Sequence, residues 1–333
     1  MNIGIIGYGY WGPNLLRNFA LIKDCQVLSV ADFRKERLDL VSRAYPSLSV
    51  TNNPNEILSS SKIDAVVIAT PISTHYDLAK KALECGKHVL IEKPMTSNSQ
   101  EAEDLINLAE KKGLLLMVDH TFLYTGAVKR MKRLIEDGTL GIIKYFDSCR
   151  INLGLFQPDV NVLWDLAPHD ISILLHLIER KPISVNAIGV SHTKNDIENI
   201  AYLSVNYESE FLAHFTCSWT SPVKLRTMLI GGDKKMVLFN DLEPTEKVKV
   251  YDSGYVYKND EDKNRVLIDY RTGDIFTPKL EMKEALLGMA EDFVFCASNK
   301  SKPISNSHLG LEVVKILEAS QNSIKNKGKE TLI

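Results

Sequence analysis

Along the first 120 residues, short apolar runs alternate with stretches in which apolar positions recur every three or four residues. Short runs bounded by turn residues predict buried strands, whereas the longer period predicts helices. The predicted strands are residues 3–6, 26–31, 63–69, 88–91 and 114–118. Strands and helices in this order predict a doubly wound parallel sheet of the Rossmann type, which binds ligands beyond the carboxyl ends of its strands.

After about residue 140 the pattern changes, because apolar and polar residues alternate along several successive segments. This alternation predicts a large, mainly antiparallel open sheet with helices on one face. The predicted strands are residues 142–149, 184–190, 201–207, 211–218, 226–231 and 235–240, and the predicted helices are 127–137, 168–179, 281–299 and 308–325. The polar segment 252–277 predicts irregular structure.

We therefore predict an α/β protein of two domains, which is ordinary for 333 residues. Residues 1–122 form the Rossmann domain, and residues 123–333 form an α+β domain for substrate binding and oligomerisation. We expect the closing helix to pack back on the first domain. We also expect the uncovered face of the open sheet to form a homodimer or homotetramer.

Composition narrows the class of protein. A formal net charge of −2 provides no basic field, which argues against nucleic acid as a partner. No apolar run approaches the roughly 20 residues of a membrane span. The first predicted strand begins at residue 3, so we expect the N-terminal residues to be part of the fold and not a signal peptide. Five scattered cysteines without a C-x-x-C pair indicate reduced thiols in the cytoplasm. The eight histidines show no H-x-x-x-H spacing, so we predict no metal.

The first chemical signal is a glycine motif between the first strand and the first helix. Gly7, Gly9 and Gly12 stand in the G-x-G-x-x-G spacing, with Tyr10 and Trp11 inside it. In a dinucleotide-binding loop these glycines allow a tight turn, a close approach of the pyrophosphate and close packing of helix on strand. The helix dipole and its unpaired amides then face the phosphates.

A carboxylate at the end of the second strand strengthens this interpretation. Asp32 lies twenty residues after Gly12, where an acidic side chain accepts hydrogen bonds from the adenosine ribose. Asp32 would repel a 2′-phosphate, so NAD is favoured, while Arg34 keeps NADP open. A second interpretation is that Asp32 caps the helix that starts near Arg34.

Two further segments place ionisable groups where chemistry is expected. Glu92-Lys93-Pro94 follows a strand, and Lys93 there can stabilise negative charge on a substrate oxygen as hydride leaves. Asp165 and His169 are four residues apart and share a helix face, so the carboxylate can keep the imidazole basic for proton transfer. The alternatives stay open: Lys93 as a solvated lysine with Glu92 as its surface partner, and Asp165 as a helix cap beside a structural His169.

Together these motifs resemble the Gfo/Idh/MocA oxidoreductases over nearly the whole chain. The resemblance rests on the glycine motif with Tyr10 and Trp11, on Thr70-Pro71 with His75, on Glu92-Lys93-Pro94, and on Asp165-x-x-x-His169. It implies that Lys93 polarises the substrate hydroxyl, that His169 is the catalytic acid/base, and that Asp165 orients both. One departure is Asn161, where many members have glycine.

The resemblance also implies the binding residues. Those expected to hold the cofactor are Gly7, Gly9, Tyr10, Trp11, Gly12, Asp32, Arg34, Thr70, Pro71, His75, Glu92 and Lys93. Those expected to face the substrate are Lys93, His120, Phe122, Tyr124, Arg150, Asp165 and His169, with Lys129 as a further cation.

Within the family, residues 11–15, 120–124 and 163–170 are most similar to bacterial dehydrogenases that oxidise the 3-hydroxyl of UDP-N-acetylglucosamine or its uronic acid. The expected function is therefore NAD-dependent oxidation of a sugar hydroxyl, in support of surface-polysaccharide or lipid assembly. The alternatives are reduction of a 3-keto-deoxysugar nucleotide by NADPH, oxidation of inositol or a free sugar, and NAD binding without catalysis.

Overall fold

A computed structural model describes residues 1–157, 159–194, 196–208, 210–256 and 268–333, and its contacts divide the chain into two units. The first unit contains residues 1–125 and 283–318, and the second contains 126–282 and 319–333. The sequence predicted one boundary after residue 122, whereas the chain leaves the first unit at 125 and returns to it for 283–318.

The first unit is built on a parallel sheet of six strands in the order β3-β2-β1-β4-β5-β6. This confirms the predicted Rossmann architecture. The strands are β1 (Asn2–Ile6), β2 (Gln26–Ala31), β3 (Ser49–Thr51), β4 (Ala65–Ile68), β5 (His88–Glu92) and β6 (Leu116–Asp119). Nearly every side chain of β1, β4 and β6 is buried, as expected of strands covered on both faces.

Helices connect these strands. They are α1 (Gly12–Phe19), α2 (Lys35–Ala44), α3 (Pro54–Leu58), α4 (His75–Glu84) and α5 (Ser99–Lys112), with 3₁₀ turns at Ile72–Thr74 and Thr121–Tyr124. Neither β3 nor α3 was predicted. Strand β3 is a short edge strand whose residues are exposed or half-buried and carry no apolar run.

The second unit contains a mixed sheet of nine strands, in the order β16-β13-β12-β11-β7-β10-β9-β8-β17. Its strands are β7 (Ile143–Leu153), β8 (Pro182–Val190), β9 (Ile200–Tyr207), β10 (Leu212–Ser218), β11 (Thr220–Gly232), β12 (Met236–Asn240), β13 (Val248–Tyr251), β16 (Ile275–Phe276) and β17 (Thr331–Leu332). The pairs are antiparallel except β7 with β10 in the described part of the chain, which confirms a mainly antiparallel sheet.

The predicted irregular segment 252–277 contains a two-stranded sheet of β14 (Gly254–Val256) and β15 (Asp269–Arg271), followed by β16. Residues 257–267 of that segment lie outside the described residues. The remaining helices are α6 (Gly126–Glu136), α7 (Val162–Leu177), α8 (Ala285–Asn299) and α9 (Ser307–Lys325).

Helix α7 packs on one face of the nine-stranded sheet, over β7, β9 and β10. It begins at Val162, six residues before the start that Pro168 suggested. Asn161 caps it, since the Asn161 side-chain oxygen accepts hydrogen bonds from the amides of Leu163 and Trp164. Pro168 therefore lies inside the helix rather than at its first turn.

Two features of the described residues bear on function. None of their helices has the length and hydropathy needed to cross a bilayer. Among the same residues, no group of three or more His, Cys, Asp or Glu side chains is placed to hold a metal ion.

Candidate active site

The glycine loop between β1 and α1 has the shape that a dinucleotide requires. Gly7 has a φ of +99°, and a Cβ on it would lie 2.3 Å from the Ala69 carbonyl oxygen. A Cβ on Gly12 would lie 2.3 Å from the carbonyl oxygen of Gly7. A Cβ on Gly9 would meet only Arg34 Nη2, at 3.5 Å, and no side chain caps α1. The loop therefore fits a pyrophosphate against Gly9 and the start of α1.

Asp32 lies at the end of β2 and is engaged on both carboxylate oxygens. The Tyr8 amide donates to Oδ2 at 2.8 Å, and the Arg34 amide, Nε and Nη2 donate at 2.9, 3.0 and 3.0 Å. Burial alone would raise the pKa of Asp32, but these hydrogen bonds outweigh it and hold the pKa below its ordinary value. Asp32 is therefore an anionic acceptor, and three of the four hydrogen bonds that it accepts come from Arg34.

The two aromatic residues of the glycine loop have different surroundings. The Trp11 indole N–H donates to Asp119 Oδ2 at 3.0 Å, which ties the loop to the end of β6. The Tyr10 ring stacks on Trp11, with centroids 6.4 Å apart, and is 90% exposed. Trp11 thus fixes the loop, while Tyr10 is accessible to a ligand.

Lys93 lies in a turn that His75 holds from inside. The Lys93–Pro94 peptide is cis. The His75 imidazole is buried, with Nδ1 2.9 Å from the Pro94 carbonyl oxygen and Nε2 2.8 Å from that of Thr70. Burial is the main reason that the pKa of His75 is lowered. Since its imidazole faces the interior, the expectation that His75 lies along the cofactor is corrected: it positions Thr70 and the Lys93–Pro94 turn, and Pro71 remains exposed.

Glu92 and Asp119 are register partners at the carboxyl ends of β5 and β6. Glu92 Oε2 accepts the Lys93 amide at 3.1 Å, and Oε1 is sealed from solvent. Burial and the neighbouring Asp119 carboxylate raise the pKa of Glu92 well above its ordinary value. The alternative of Glu92 as a surface partner of Lys93 is therefore wrong.

His120 follows β6 and is buried as a neutral imidazole. Burial, with a smaller contribution from the Lys93 charge, lowers its pKa to about 3. Both of its ring nitrogens lack a hydrogen-bond partner. Buried polar atoms of this kind are rare and frequently indicate a ligand or water, so His120 remains a candidate on the substrate side.

The two aromatic residues after His120 have different surroundings. Phe122 is half-buried and remains a candidate. The Tyr124 hydroxyl donates to Asp292 Oδ2 at 2.7 Å and accepts the Ser305 amide at 3.2 Å, and burial raises its pKa. The expectation that Tyr124 faces substrate is therefore wrong, because its hydroxyl anchors residues 283–318 within the first unit.

In the second unit, Asp165 and His169 lie one helical turn apart on α7. Because Asn161 is the cap, the alternative of Asp165 as the cap is wrong. Asp165 Oδ2 accepts a hydrogen bond from the indole N–H of Trp219 at 3.0 Å. Asn161 also donates to Glu198 at 3.0 Å and to Gln321 at 2.6 Å, so its side chain is held at both of its polar atoms.

Arg150 on β7 is not available to substrate. Its side chain is 4% exposed, and Nε and Nη2 donate to the Asp170 carboxylate at distances from 2.5 to 3.1 Å. The expectation of a substrate-binding Arg150 is corrected, since a bidentate buried pair holds α7 on β7. Lys129 is paired too, with Glu281 at 3.2 Å.

Three residues outside the expected binding set shape the candidate site, and two of them had a signal in the sequence. Asn161 and Asp119 carried weak signals, as a capping residue before an apolar run and as a carboxylate at a strand end. Trp219 carried none, because an apolar residue between two strands predicts only core packing.

The fold and these residues define a class, a nicotinamide-dependent oxidoreductase with a Rossmann domain. Residues 1–120 match the family model "Oxidoreductase family, NAD-binding Rossmann fold", and residues 128–238 match the GFO/IDH/MocA C-terminal domain. The chain belongs to the Gfo/Idh/MocA oxidoreductase family. The predicted family and enzyme class are confirmed.

Relatives share parts of the chain. The UDP-N-acetylglucosamine 3-dehydrogenase of Acidithiobacillus ferrooxidans is 33% identical over 57% of this chain and 58% of its own. The scyllo-inositol 2-dehydrogenase (NADP(+)) IolW of Bacillus subtilis is 28% identical over 70% and 63%. The chain thus spans about three-fifths of these relatives. A solved structure of the Acidithiobacillus enzyme covers 99% of both chains with a TM-score of 0.80 at 24% identity, which shows the shared fold.

Proposed function

We propose that this protein oxidises a hydroxyl of a nucleotide-linked sugar, C3 of UDP-N-acetylglucosamine, with NAD. The observation that carries the proposal is the Lys93–Pro94 turn, which His75 and Glu92 hold at the sheet edge that also carries the glycine loop. The substrate class follows the relative that is named for this reaction.

We assign the roles residue by residue. Lys93 donates a hydrogen bond to the substrate hydroxyl oxygen and stabilises the negative charge that develops on it. His169 accepts the hydroxyl proton, and Asp165 orients the amine and the imidazole. Bound nicotinamide supplies the acceptor for the hydride that leaves the same carbon. One proton and one hydride leave the carbinol, so a ketone results.

The nucleotide is held by residues of the first unit. Gly9 and the start of α1 face the pyrophosphate, Asp32 accepts the ribose hydroxyls, and Glu92 helps to hold the cofactor at the end of β5. We favour NAD because Asp32 is anionic and would repel a 2′-phosphate. Arg34 favours the opposite choice once it releases Asp32, and one relative is named for NADP(+).

A second candidate is the oxidation of inositol, favoured by a relative named for scyllo-inositol and by another, from Thermotoga maritima, named for myo-inositol. Reduction of a 3-keto-deoxysugar nucleotide by NADPH uses the same residues in reverse. A protein that binds NAD without catalysis would not need Lys93, Asp165 and His169 together.

We propose a homodimer or homotetramer that forms through the nine-stranded sheet. Ile188 pairs with Tyr202, and Tyr145 pairs with Leu212, on adjacent strands, and all four side chains are exposed on the same sheet. Exposed apolar residues in such an arrangement are typical of interaction surfaces. We place the protein in the cytoplasm, which its five unpaired cysteines support.

The experiment is a panel of UDP-N-acetylglucosamine, its uronic acid and myo-inositol, each with NAD and NADP. We expect absorbance of reduced nicotinamide to appear with NAD and a UDP-sugar, and a 3-keto product in the mass spectrum. Turnover of inositol alone would favour the second candidate, and binding of NAD without turnover of any substrate, in either direction, would contradict catalysis.

A further inference from the structure

Trp219 lies between β10 and β11 and contacts a proposed functional carboxylate. Its side chain is among the largest fully buried ones, with 1% of the residue exposed. The indole N–H is nevertheless satisfied, because it donates to Asp165 Oδ2 at 3.0 Å. Buried indoles normally find such a partner. Here the partner is the side chain one helical turn before His169.

The indole is held in place from two sides. A Cβ on Gly154 would lie 2.6 Å from Trp219 Cδ1 and 3.2 Å from Cγ, so only glycine fits there without displacing the ring. The Phe156 ring packs at 5.6 Å between centroids. In the main chain, the Gly154 amide donates to the Trp219 carbonyl and the Trp219 amide donates to that of Asn199, each at 2.9 Å. The N–H is therefore a preorganised donor.

The fixed indole donor selects the side-chain rotamer of Asp165, which the helix alone does not determine. Helix α7 sets the position of the Asp165 backbone, but several staggered rotamers are available to the Asp165 side chain. A hydrogen bond to Oδ2 selects one of them and directs Oδ1 consistently. Placement matters in catalysis, since a displacement of about 1 Å at a reacting group costs roughly 100-fold in rate.

We propose that Trp219 is a positioning residue, which holds the Asp165 carboxylate in its working orientation through the indole hydrogen bond, with Gly154 keeping the indole in place. This inference rests on the proposed role of Asp165. It adds a residue that does not itself touch substrate or cofactor.

The kinetic test is a double-mutant cycle of Trp219→Phe and Asp165→Asn, measured with whichever panel substrate the wild type turns over. Trp219→Phe keeps an aromatic ring and removes the donor, so we expect kcat to fall about 10- to 100-fold with KM for NAD unchanged. In the Asp165→Asn background the same change should have little further effect, because residues that act through one another are not additive.

Two variants complete the set. Trp164→Phe makes the same exchange next to Asp165 on α7 and is expected to leave kcat near the wild-type value. Gly154→Ala keeps the indole and displaces it, and is expected to lower kcat as Trp219→Phe does. It therefore tests the idea even if Trp219→Phe does not fold.

A spectroscopic arm needs no substrate. The chain has three tryptophans, so a ¹H–¹⁵N spectrum contains three indole resonances. The Trp219 resonance is the one that Trp219→Phe deletes. If that variant does not fold, Gly154→Ala identifies the resonance by shifting it. We expect Asp165→Asn to shift this resonance more than the other two.

The outcomes separate the two claims. Full activity of Asp165→Asn would overturn the proposed role of Asp165. An impaired Asp165→Asn with wild-type kinetics in Trp219→Phe would overturn only the role of Trp219, as would additive losses in the double variant or an unshifted indole resonance.

Discussion

Glu92 shows how the chemistry of one residue depends on a neighbour distant in the sequence. The sequence places Glu92 and Asp119 at strand ends, which is enough to predict that both lie at the ligand edge of the sheet. It does not show that β5 and β6 are adjacent and in register. The raised pKa of Glu92 follows from that pairing and from burial, so no local pattern reveals it.

This residue gives a pH-dependent prediction for stability. The folded-state pKa of Glu92 lies above its unfolded value of about 4.3, so its contribution to stability is complete below that pH and is lost as the pH rises towards the folded value. Glu92→Gln removes the titration. We expect the difference in unfolding free energy between variant and wild type to rise with pH, by up to about 1.4 kcal/mol per unit.

Urea unfolding at pH values from about 5 to 8 measures this difference, because this range lies above the ordinary glutamate pKa of about 4.3. Glu56→Gln is the matched control, because it makes the same exchange at an exposed position of α3. A pH dependence for Glu92→Gln no steeper than that of the control would contradict a neutral Glu92.

Helix α7 shows what the sequence predicts about an element and what it does not. The apolar period after Pro168 correctly predicted a helix that carries His169. The predicted start at Pro168 was wrong, because proline is common in a first turn and rare inside a helix. Here Asn161 caps a helix that begins at Val162, and Pro168 lies within it. The Asn161 partners Glu198 and Gln321 come from distant segments, which a local pattern does not identify.

The cap gives the prediction at this scale. Asn161→Ala removes the acceptor for the Leu163 and Trp164 amides together with two side-chain donors. Asn161→Ser keeps an acceptor and loses the two amide N–H donors. We expect the alanine variant to be less stable than the serine variant by about 1 kcal/mol in urea unfolding. Equal stability of the two variants would show that the cap does not stabilise α7.

At the scale of the whole molecule, the sequence predicts the two kinds of sheet but not the path of the chain between units. The strand periods differ between the halves, so a parallel and a mainly antiparallel sheet were both predictable. The return of residues 283–318 to the first unit depends on contacts such as Tyr124 with Asp292 and Ser305. An amphipathic helix shows which face it buries, and not which partner covers that face.

The open sheet gives the molecular prediction. Tyr202→Lys places a charge among the exposed apolar residues of β7 to β10, so we expect light scattering to show a smaller assembly than the wild type. Tyr270→Lys is the matched control, since Tyr270 is exposed on the small sheet of β14 and β15. A wild-type mass equal to one chain would contradict the proposed oligomer.

The most direct test of the proposed reaction is turnover by His169→Asn, measured with UDP-N-acetylglucosamine and NAD beside calorimetric binding of NAD. Asparagine keeps a polar side chain on α7 and removes the base. We predict that kcat falls by about 100-fold or more while NAD affinity stays at the wild-type value. Wild-type turnover by the His169→Asn variant would contradict the proposal that His169 accepts the hydroxyl proton.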